Sequence, residues 1–204
     1  MRIRQHVNPI DVFFETFRGE KPELTVGRDV EVEIGCADAQ FLFERAAQDP
    51  ARHYIGLEIR EDYVGYVQRK AKKLGVPVQA VWCQAQLHMK LVFPEGAVSR
   101  VYVNFPDPWF KRRHHERRMV DPALAEGIAY LLKPGGELFV QTDVWDIAID
   151  AMASFDGDLA ERFDNEAGAW TFWKQGNPYG VRSWREQNAE ETGLPVWRIM
   201  YHRS

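Results

Sequence analysis

A proline-bracketed acid followed by a basic run is the stretch of this chain with the most evident chemistry. Residues 104–118 begin Asn-Phe-Pro-Asp-Pro-Trp-Phe, so that Asp107 stands between Pro106 and Pro108 and Trp109 comes next. The two prolines fix φ and remove two backbone donors, so the chain must turn here and cannot continue a sheet. Basic side chains then crowd together, namely Lys111, Arg112, Arg113, His114, His115, Arg117 and Arg118.

The residues before this stretch indicate where Asp107 would lie. The run 98–103 is predicted to be a buried strand, which places Asp107 just past a carboxyl end. In α/β folds the carboxyl ends of parallel strands are where binding and catalytic sites are built. The plain alternative is a proline turn followed by a solvated charged run. A Trp and a bracketed acid directly after a buried strand favour the functional interpretation.

A second constellation lies in the first third of the chain. Gly35 ends a β-branched run, and Glu58 ends another run roughly 20 residues later, which is the spacing at which an acid binds ribose hydroxyls in Rossmann-like folds. Glu33, two residues before Gly35, would face the same crevice and could meet a cationic group. Ala37 and Ala39 follow where a pyrophosphate would need bare backbone amides. The pattern therefore favours a nucleoside cofactor without phosphates, such as S-adenosylmethionine, although many α/β proteins carry a glycine-ended and an acid-ended strand without a cofactor.

To bring these residues together at one edge of a sheet, the chain must form strands that alternate with helices. Strands are predicted at 29–35, 53–58, 78–83, 98–104 and 137–142, with further strands near 170–173 and 196–202. Helices are predicted within 7–17, over 39–46 with Asp38 as N-cap, over 63–74 up to Gly75, from Pro122 to 131 after an Asp121 cap, and over 145–155. Such alternation is typical of βαβ units, so the fold class is predicted to be α/β, a doubly wound and mostly parallel sheet.

Composition narrows the class of protein further. The 204 residues are 45% hydrophobic and carry a formal net charge of −4. This length and composition suit one globular domain over 1–204. Within it we expect a lead-in at 1–28 and a C-terminal substrate-side extension with closing strands at 156–204. The acidic total argues against a protein that coats nucleic acid indiscriminately, but it allows a focused basic patch. The two cysteines lack zinc-site spacing, so no metal is expected. No apolar run suits a membrane span or signal peptide, so a cytoplasmic protein without membrane partners is expected.

Several motifs together resemble one known family. The bacterial tRNA (guanine-N7)-methyltransferases, which use S-adenosylmethionine to make 7-methylguanosine in the tRNA variable loop, carry similar motifs in the same order over nearly the whole chain. The matching motifs are Val-Glu-Ile-Gly at 32–35, Ile-Gly-Leu-Glu at 55–58, Phe-Pro-Asp-Pro-Trp-Phe-Lys-Arg-Arg-His at 105–114, Arg-Arg at 117–118, Leu-Lys-Pro-Gly-Gly at 132–136 and Thr-Asp at 142–143. The resemblance implies the class I, Rossmann-like methyltransferase fold, a tRNA partner, and a monomer or weak homodimer.

The resemblance also implies roles for individual residues. The implied cofactor-binding residues are Glu33, Gly35, Glu58, Gln84 and Asp107, and Asp107 is also the implied catalytic residue. The resemblance implies that Lys111 and Asp143 bind the substrate, that His114 and Arg117 are further functional residues, and that Ser183 and Glu186 match a late Thr-x-x-Glu motif. By their charge, Arg113 and Arg118 are expected to join Lys111 and Arg117 in neutralising tRNA phosphates. Guanine N7 has an in-plane lone pair and no proton, so catalysis would depend on alignment and on electrostatic fit.

The sequence departs from the family pattern at positions that bear mainly on the cofactor. Ala37 and Ala39 replace glycines, Gln84 replaces an Asp, Glu116 replaces a Lys and Val144 replaces a Trp. Three alternatives follow: a methyltransferase acting on another base nitrogen such as an exocyclic amine, a divergent non-catalytic RNA-binding relative, and a NAD-type oxidoreductase. The missing glycines disfavour the last of these.

Overall fold

A single seven-stranded sheet organises the protein. The computed structural model describes residues 15–107 and 122–204. The strands are β1 (Val30–Ile34), β2 (His53–Glu58), β3 (Val78–Trp82), β4 (Val98–Asn104), β5 (Leu132–Thr142), β6 (Phe163–Asn165) and β7 (Trp197–Arg203). Their order across the sheet is β3-β2-β1-β4-β5-β7-β6. Strands β1 to β5 pair in parallel, and β7 lies antiparallel between β5 and β6.

Helices cover both faces of this sheet. They are α1 (Gln40–Gln48), α2 (Glu61–Leu74), α3 (Ala85–Val92), α4 (Pro122–Leu131), α5 (Trp145–Met152) and α6 (Trp184–Glu191), and a π-helical segment at Ala153–Asp158 continues α5. Apolar residues of α3, α4 and α5 share one buried cluster with one sheet face, and those of α1 and α2 share a second cluster with the other. The predicted doubly wound α/β class is confirmed.

The sheet order creates the crevice where a ligand would bind. From β1 the chain crosses over to β2 and β3 on one side, and then returns to β4 and β5 on the other. The helices that follow β1 and β4 therefore lie on opposite faces, and a crevice opens outside the carboxyl ends of these two neighbouring strands. The polar residues singled out by the sequence lie at this edge.

The local predictions succeeded where hydrophobic periodicity is strong. The first four parallel strands and the C-terminal strand lie within about a residue of their predicted bounds, whereas β5 begins at Leu132, five residues before its predicted start. Gly75 ends α2 in the left-handed region with φ of 66°. Asp38 as the N-cap of α1 was wrong, because Ala39 occupies that position. Asp38 lies one residue earlier, and its Oδ1 accepts from the Gln40 N–H at 3.3 Å. Most of the predicted helix within 7–17, and the Asp121 cap, lie outside the described residues.

The C-terminal third was predicted less well. The prediction of a strand near 170–173 is wrong, because these residues form no strand. The edge strand in this part of the chain is β6, at Phe163–Asn165. Helices α3 and α6 were not predicted, since α3 is short and α6 lacks an apolar face: its buried residues are Glu186 and Ala189. Among the described residues, no helix combines the length and apolar character needed to cross a membrane.

Candidate active site at the carboxyl edge of the sheet

The structure gathers the predicted site residues of the described chain along one edge. Each of the residues Glu33, Gly35, Glu58, Gln84, Asp107 and Asp143 lies at or just beyond the carboxyl end of one of the five parallel strands. Because parallel strands end at the same side of a sheet, residues separated by more than a hundred positions meet there. The edge is therefore a candidate active site.

The turn after β1 is held in an unusual backbone conformation. Gly35, Ala37 and Ala39 have φ of 74°, 50° and 53°, the left-handed region that glycine tolerates and alanine does not favour. The Gly35 backbone N–H donates to the carbonyl of Leu57 at 2.8 Å, and that of Ala37 donates to Glu58 Oε2 at 2.8 Å. Both alanines thus occupy positions whose backbone conformation favours glycine.

Glu58 is a buried acid whose acceptor positions are used within the protein. Its Oε1 accepts from the backbone N–H of Arg60 at 3.0 Å and from Arg60 Nε at 2.8 Å. Its Oε2 accepts from Ala37 N and from Arg60 Nη2 at 3.0 Å. Since a carboxylate offers about four lone-pair positions, a ribose hydroxyl would have to share or replace bonds now made by Arg60.

Arg60 is a site residue that the sequence interpretation missed. Burial acts to lower the pKa of its guanidinium, but hydrogen bonding to Glu58 and the nearby charges of Glu58, Tyr63 and Asp107 raise the pKa above its ordinary value. The guanidinium carbon also lies 4.3 Å from the ring centroid of Tyr63. Arg60 thus interacts electrostatically both with Glu58, which ends β2, and with Asp107, which follows β4. The available signal was a base two positions after a strand-ending acid.

Glu33 is a second buried acid, and one of its oxygens lacks a partner. Asn104 Nδ2 donates to Glu33 Oε1 at 2.8 Å, whereas no described residue donates to Oε2, which is shielded from solvent. Burial, with smaller contributions from Asp38 and Glu58, raises the pKa of Glu33 to about 8, although the Asn104 hydrogen bond opposes this shift. A cationic group placed against Oε2 would satisfy that atom and favour the carboxylate form.

Gln84 begins helix α3. Its Oε1 accepts from the backbone N–H of Leu87 at 2.8 Å, and its Nε2 donates to Gln86. Its own backbone N–H donates to His88 Nδ1 at 3.2 Å. The side chain is buried, and its amide is already engaged in capping α3.

Asp107 is exposed just beyond the end of β4. Phe105 turns the chain there with a left-handed φ of 49°, and its N–H donates to the carbonyl of Gln141 at 2.8 Å. Pro106 is buried, which fixes the base of the turn, and the Asp107 side chain faces solvent at the crevice edge. The predicted Trp109, Lys111, Arg113, His114, Arg117 and Arg118 lie outside the described residues.

The three C-terminal candidates make intramolecular contacts in helix α6 and around it. Asp143 pairs with Arg185. Ser183 is the N-cap of α6, where its Oγ accepts from the Glu186 N–H at 3.2 Å. Glu186 is fully buried and forms an ion pair with Arg198 at 2.7 Å. The described contacts of Ser183 and Glu186 thus serve to anchor α6 at the carboxyl end of β5.

An aromatic cluster flanks the same end of β5. The ring centroid of Trp145, the first residue of α5, lies 4.7 Å from that of Trp197 and 5.6 Å from that of Phe172. The Phe172 and Trp197 centroids are 4.9 Å apart. Trp145 remains 51% exposed, so a large aromatic surface faces solvent beside Asp143.

No group of three or more histidine, cysteine or acidic side chains within 15–107 and 122–204 is arranged to hold a metal ion. Both cysteines, Cys36 and Cys83, are buried free thiols. The polar groups found at the edge are carboxylates, amides and guanidinium groups, which bind organic ligands through hydrogen bonds and ion pairs.

Comparisons with known proteins show which family this chain resembles over its length. A family model described as "Putative methyltransferase" matches residues 28–199. A tRNA (guanine-N(7)-)-methyltransferase of Synechococcus sp. (strain WH7803) is 38% identical over 99% of this chain and 88% of its own length. An enzyme of the same name from Nostoc sp. (strain PCC 7120) is 34% identical over 100% of this chain and 95% of its own length.

Solved structures resemble the fold at lower sequence identity. The precorrin-6y C5,15-methyltransferase of Geobacter metallireducens superposes with a TM-score of 0.57 at 19% identity, covering 87% of this chain and 81% of its own. The aminoglycoside resistance methyltransferase NpmB1 gives 0.54 at 20% identity, covering 87% and 88%. These likenesses show the class I methyltransferase fold. The family match and the near full-length relatives together show that this chain belongs to the tRNA (guanine-N7)-methyltransferase family.

Proposed function

We propose that this protein transfers a methyl group from S-adenosylmethionine to N7 of a guanine in the variable loop of tRNA, with Asp107 assisting. The observation that carries the proposal is near full-length similarity to tRNA (guanine-N(7)-)-methyltransferases, in a chain whose Asp107 lies at the same sheet edge as Glu33 and Glu58. On this proposal residues 1–204 act as one methyltransferase domain.

The described residues at the edge suit a cofactor with a cationic end and a ribose. Glu33 has a buried oxygen without a described partner, which fits an ammonium group. Glu58 would hold the ribose hydroxyls once Arg60 gives up part of its hydrogen bonding. Gly35 provides the turn, and Gln84 lies after β3 where the adenine would be held. S-adenosylmethionine supplies a methyl group that its sulfonium already activates.

For this reaction the protein must align guanine N7 with the methyl group and stabilise the charge that develops on the base. Guanine N7 attacks through a lone pair in the plane of the ring, so no side chain has to remove a proton first. The base becomes positively charged as the methyl group arrives, and a fixed carboxylate at that point stabilises the charge. Asp107 is exposed at the crevice and can also accept hydrogen bonds from the base.

The RNA would be held mainly by the basic run that follows Asp107 in the sequence. Lys111, Arg113, His114, Arg117 and Arg118 would contact phosphates, since basic side chains supply most of the sequence-independent affinity for RNA. N7 in a folded tRNA is either buried by tertiary packing or exposed in the major groove, and extraction of the nucleotide from its stack would suit an aromatic residue such as Trp109, two positions after Asp107. The exposed aromatic cluster at Trp145 offers further stacking surface beside Asp143.

One observation favours a second candidate, a non-catalytic RNA-binding relative. The cofactor site departs from the family pattern at Ala37, Ala39 and Gln84, and Arg60 already forms a hydrogen bond with the Glu58 carboxylate, so both features oppose cofactor binding. Calorimetric titration with S-adenosylmethionine separates the candidates, because a non-catalytic binding protein would give no heat.

The decisive assay uses labelled S-adenosylmethionine and bulk tRNA. Label should enter tRNA, and alkali and aniline cleavage should map it to a guanine N7 in the variable loop. The folded Asp107→Asn variant should lose about 10²–10³ in rate. Label on an exocyclic amine would overturn the proposed position of methylation, and wild-type turnover by Asp107→Asn would overturn the role of Asp107.

A further inference from the structure

We propose that Gln141 is a positioning residue that couples the cofactor end of the site to helix α6, through a row of hydrogen bonds running from Glu33 through Asn104 and Gln141 to Glu186. The inference rests on the proposed function, since it takes the cofactor to bind at Glu33. It goes further by stating that cofactor occupancy and the docking of α6 depend on each other.

The row crosses three strands at the carboxyl edge, namely β1 at Glu33, β4 at Asn104 and β5 at Gln141. Asn104 of β4, Gln141 of β5 and Arg198 of β7 are direct neighbours in the strand register, so their side chains share one face of the sheet. Asn104 Nδ2 donates to Glu33 at 2.8 Å, and Gln141 Nε2 donates to Asn104 Oδ1 at 2.9 Å. Gln141 Nε2 also donates to Glu186 Oε2 at 3.1 Å, so the contacts form a continuous row.

The direction of each amide in the row is fixed by its two ends. Glu33 Oε1 and Glu186 Oε2 are both carboxyl oxygens that accept a hydrogen bond, so both ends of the row act as acceptors. Gln141 Nε2 uses both of its hydrogens, one toward Asn104 and one toward Glu186, while its Oε1 accepts from Arg198 Nε at 3.3 Å. Turning either amide over would set two donors or two acceptors against each other. A change at one end is therefore transmitted to the other.

Helix α6 depends on this row because it has little apolar surface to bury. Its buried residues are Glu186 and Ala189. Besides Gln141, Glu186 accepts from Arg198 Nη2 at 2.7 Å and from Asn177 Nδ2 at 2.9 Å. A helix held by polar contacts changes its docking when those contacts weaken, whereas a helix held by an apolar face would not.

The other end of the row is incomplete without a ligand. Glu33 Oε2 is buried with no donor among the described residues, and burial raises the pKa of this carboxyl to about 8. A cation bound there would hold Glu33 as a carboxylate, and the hydrogen bond from Asn104 would become charge-assisted. The amides of Asn104 and Gln141 would then be held more firmly, and α6 with them.

Hydrogen exchange of the α6 amides, residues 184–191, tests the coupling. S-adenosylhomocysteine at saturation should slow their exchange at least about fivefold in the wild type, the lower end of common coupling energies. In Gln141→Met, which keeps the length of the side chain but removes its amide, the slowing should fall below about twofold. Gln79→Met is the matched control, because Gln79 is a β3 glutamine whose amide bonds Glu23 outside the row, and it should keep the full slowing.

The outcomes separate this inference from the proposed function. Absence of any heat on titration with S-adenosylhomocysteine would overturn the proposed cofactor site and the inference with it. Binding with unchanged α6 exchange in the wild type, or equal slowing in Gln141→Met, would overturn only the inference. If Gln141→Met fails to fold, Asn104→Ala interrupts the same row at a half-buried position where water can enter, and it should lose the slowing as well.

Discussion

The backbone N–H of Ala37 donates to the Glu58 carboxylate at 2.8 Å, which ties the turn after β1 to the acid that ends β2. The contact requires Ala37 to adopt a left-handed φ of 50°. The protein thus keeps the backbone geometry of a glycine turn with alanine in place of glycine. The energetic cost of this left-handed conformation therefore arises in the turn that is proposed to hold the cofactor.

The Ala37→Gly variant should be more stable than the wild type. A left-handed conformation costs a non-glycine residue about 1 kcal/mol, and glycine loses roughly half of that gain to its freer unfolded chain. We expect a Tm higher by about 1–2 °C, measured by calorimetry. Ala39→Gly should give no gain, because Ala39 is fully buried and its methyl group packs in the core. A lower Tm for Ala37→Gly would show that the left-handed turn carries no strain.

Restoring the family pattern should tighten cofactor binding. The triple variant Ala37→Gly, Ala39→Gly, Gln84→Asp removes the methyl groups that replace bare backbone in the turn after β1 and returns a carboxylate to position 84. Two effects of about 1 kcal/mol each predict at least a tenfold lower Kd for S-adenosylmethionine, measured by calorimetry, with the same methylated position. The single variant Gln84→Asp separates the two contributions. An unchanged or higher Kd would show that the site is built around its alanines.

Glu33 should make the stability of the cofactor-free protein fall as pH rises. Its pKa is raised from 4.5 to about 8 in the folded protein, so the folded state holds a proton that the unfolded state has lost. This contribution is complete below about pH 4.5 and disappears as pH rises to about 8. In Glu33→Gln the side chain stays neutral at every pH. The free energy of unfolding of this variant should therefore rise relative to that of the wild type by roughly 2–5 kcal/mol as the pH increases across that window.

Urea unfolding at pH 5, 7 and 9 measures this effect. The exposed Glu95→Gln serves as the control and should follow the wild-type curve. Parallel pH profiles for Glu33→Gln and the wild type would contradict the prediction.

The basic run after Asp107 should set the salt dependence of tRNA binding. Replacing Lys111, Arg113, Arg117 or Arg118 by Ala should weaken binding across tRNA sequences and reduce the slope of log K against log salt by about one unit for each lost contact. Filter binding at several salt concentrations measures the slope, with Lys73→Ala on the exposed side of α2 as control. Normal affinity and slope in all four variants would place the RNA elsewhere.

The position of the site could be predicted from the sequence, because it follows from short-range patterns. Runs of β-branched residues that alternate with helical periods gave five parallel strands. Once those strands are parallel, Glu33, Glu58 and Asp107 must lie at one edge. The prolines around Asp107 and the glycine at position 35 mark turns through local backbone chemistry alone, and the motif order gave the family.

The partners of those residues were decided by the tertiary structure. Arg185 pairs with Asp143 and Arg198 pairs with Glu186 over separations in the chain that no local pattern predicts. Arg60, by contrast, is only two residues from its partner Glu58. Residues 141 and 186 are far apart in the chain, so their hydrogen bond depends on how α6 returns to the sheet edge. Hydrophobic periodicity records which side of an element is buried, but it carries no information on which polar group meets which across the sheet. Only the packed fold could join Glu33 to α6 through Asn104 and Gln141.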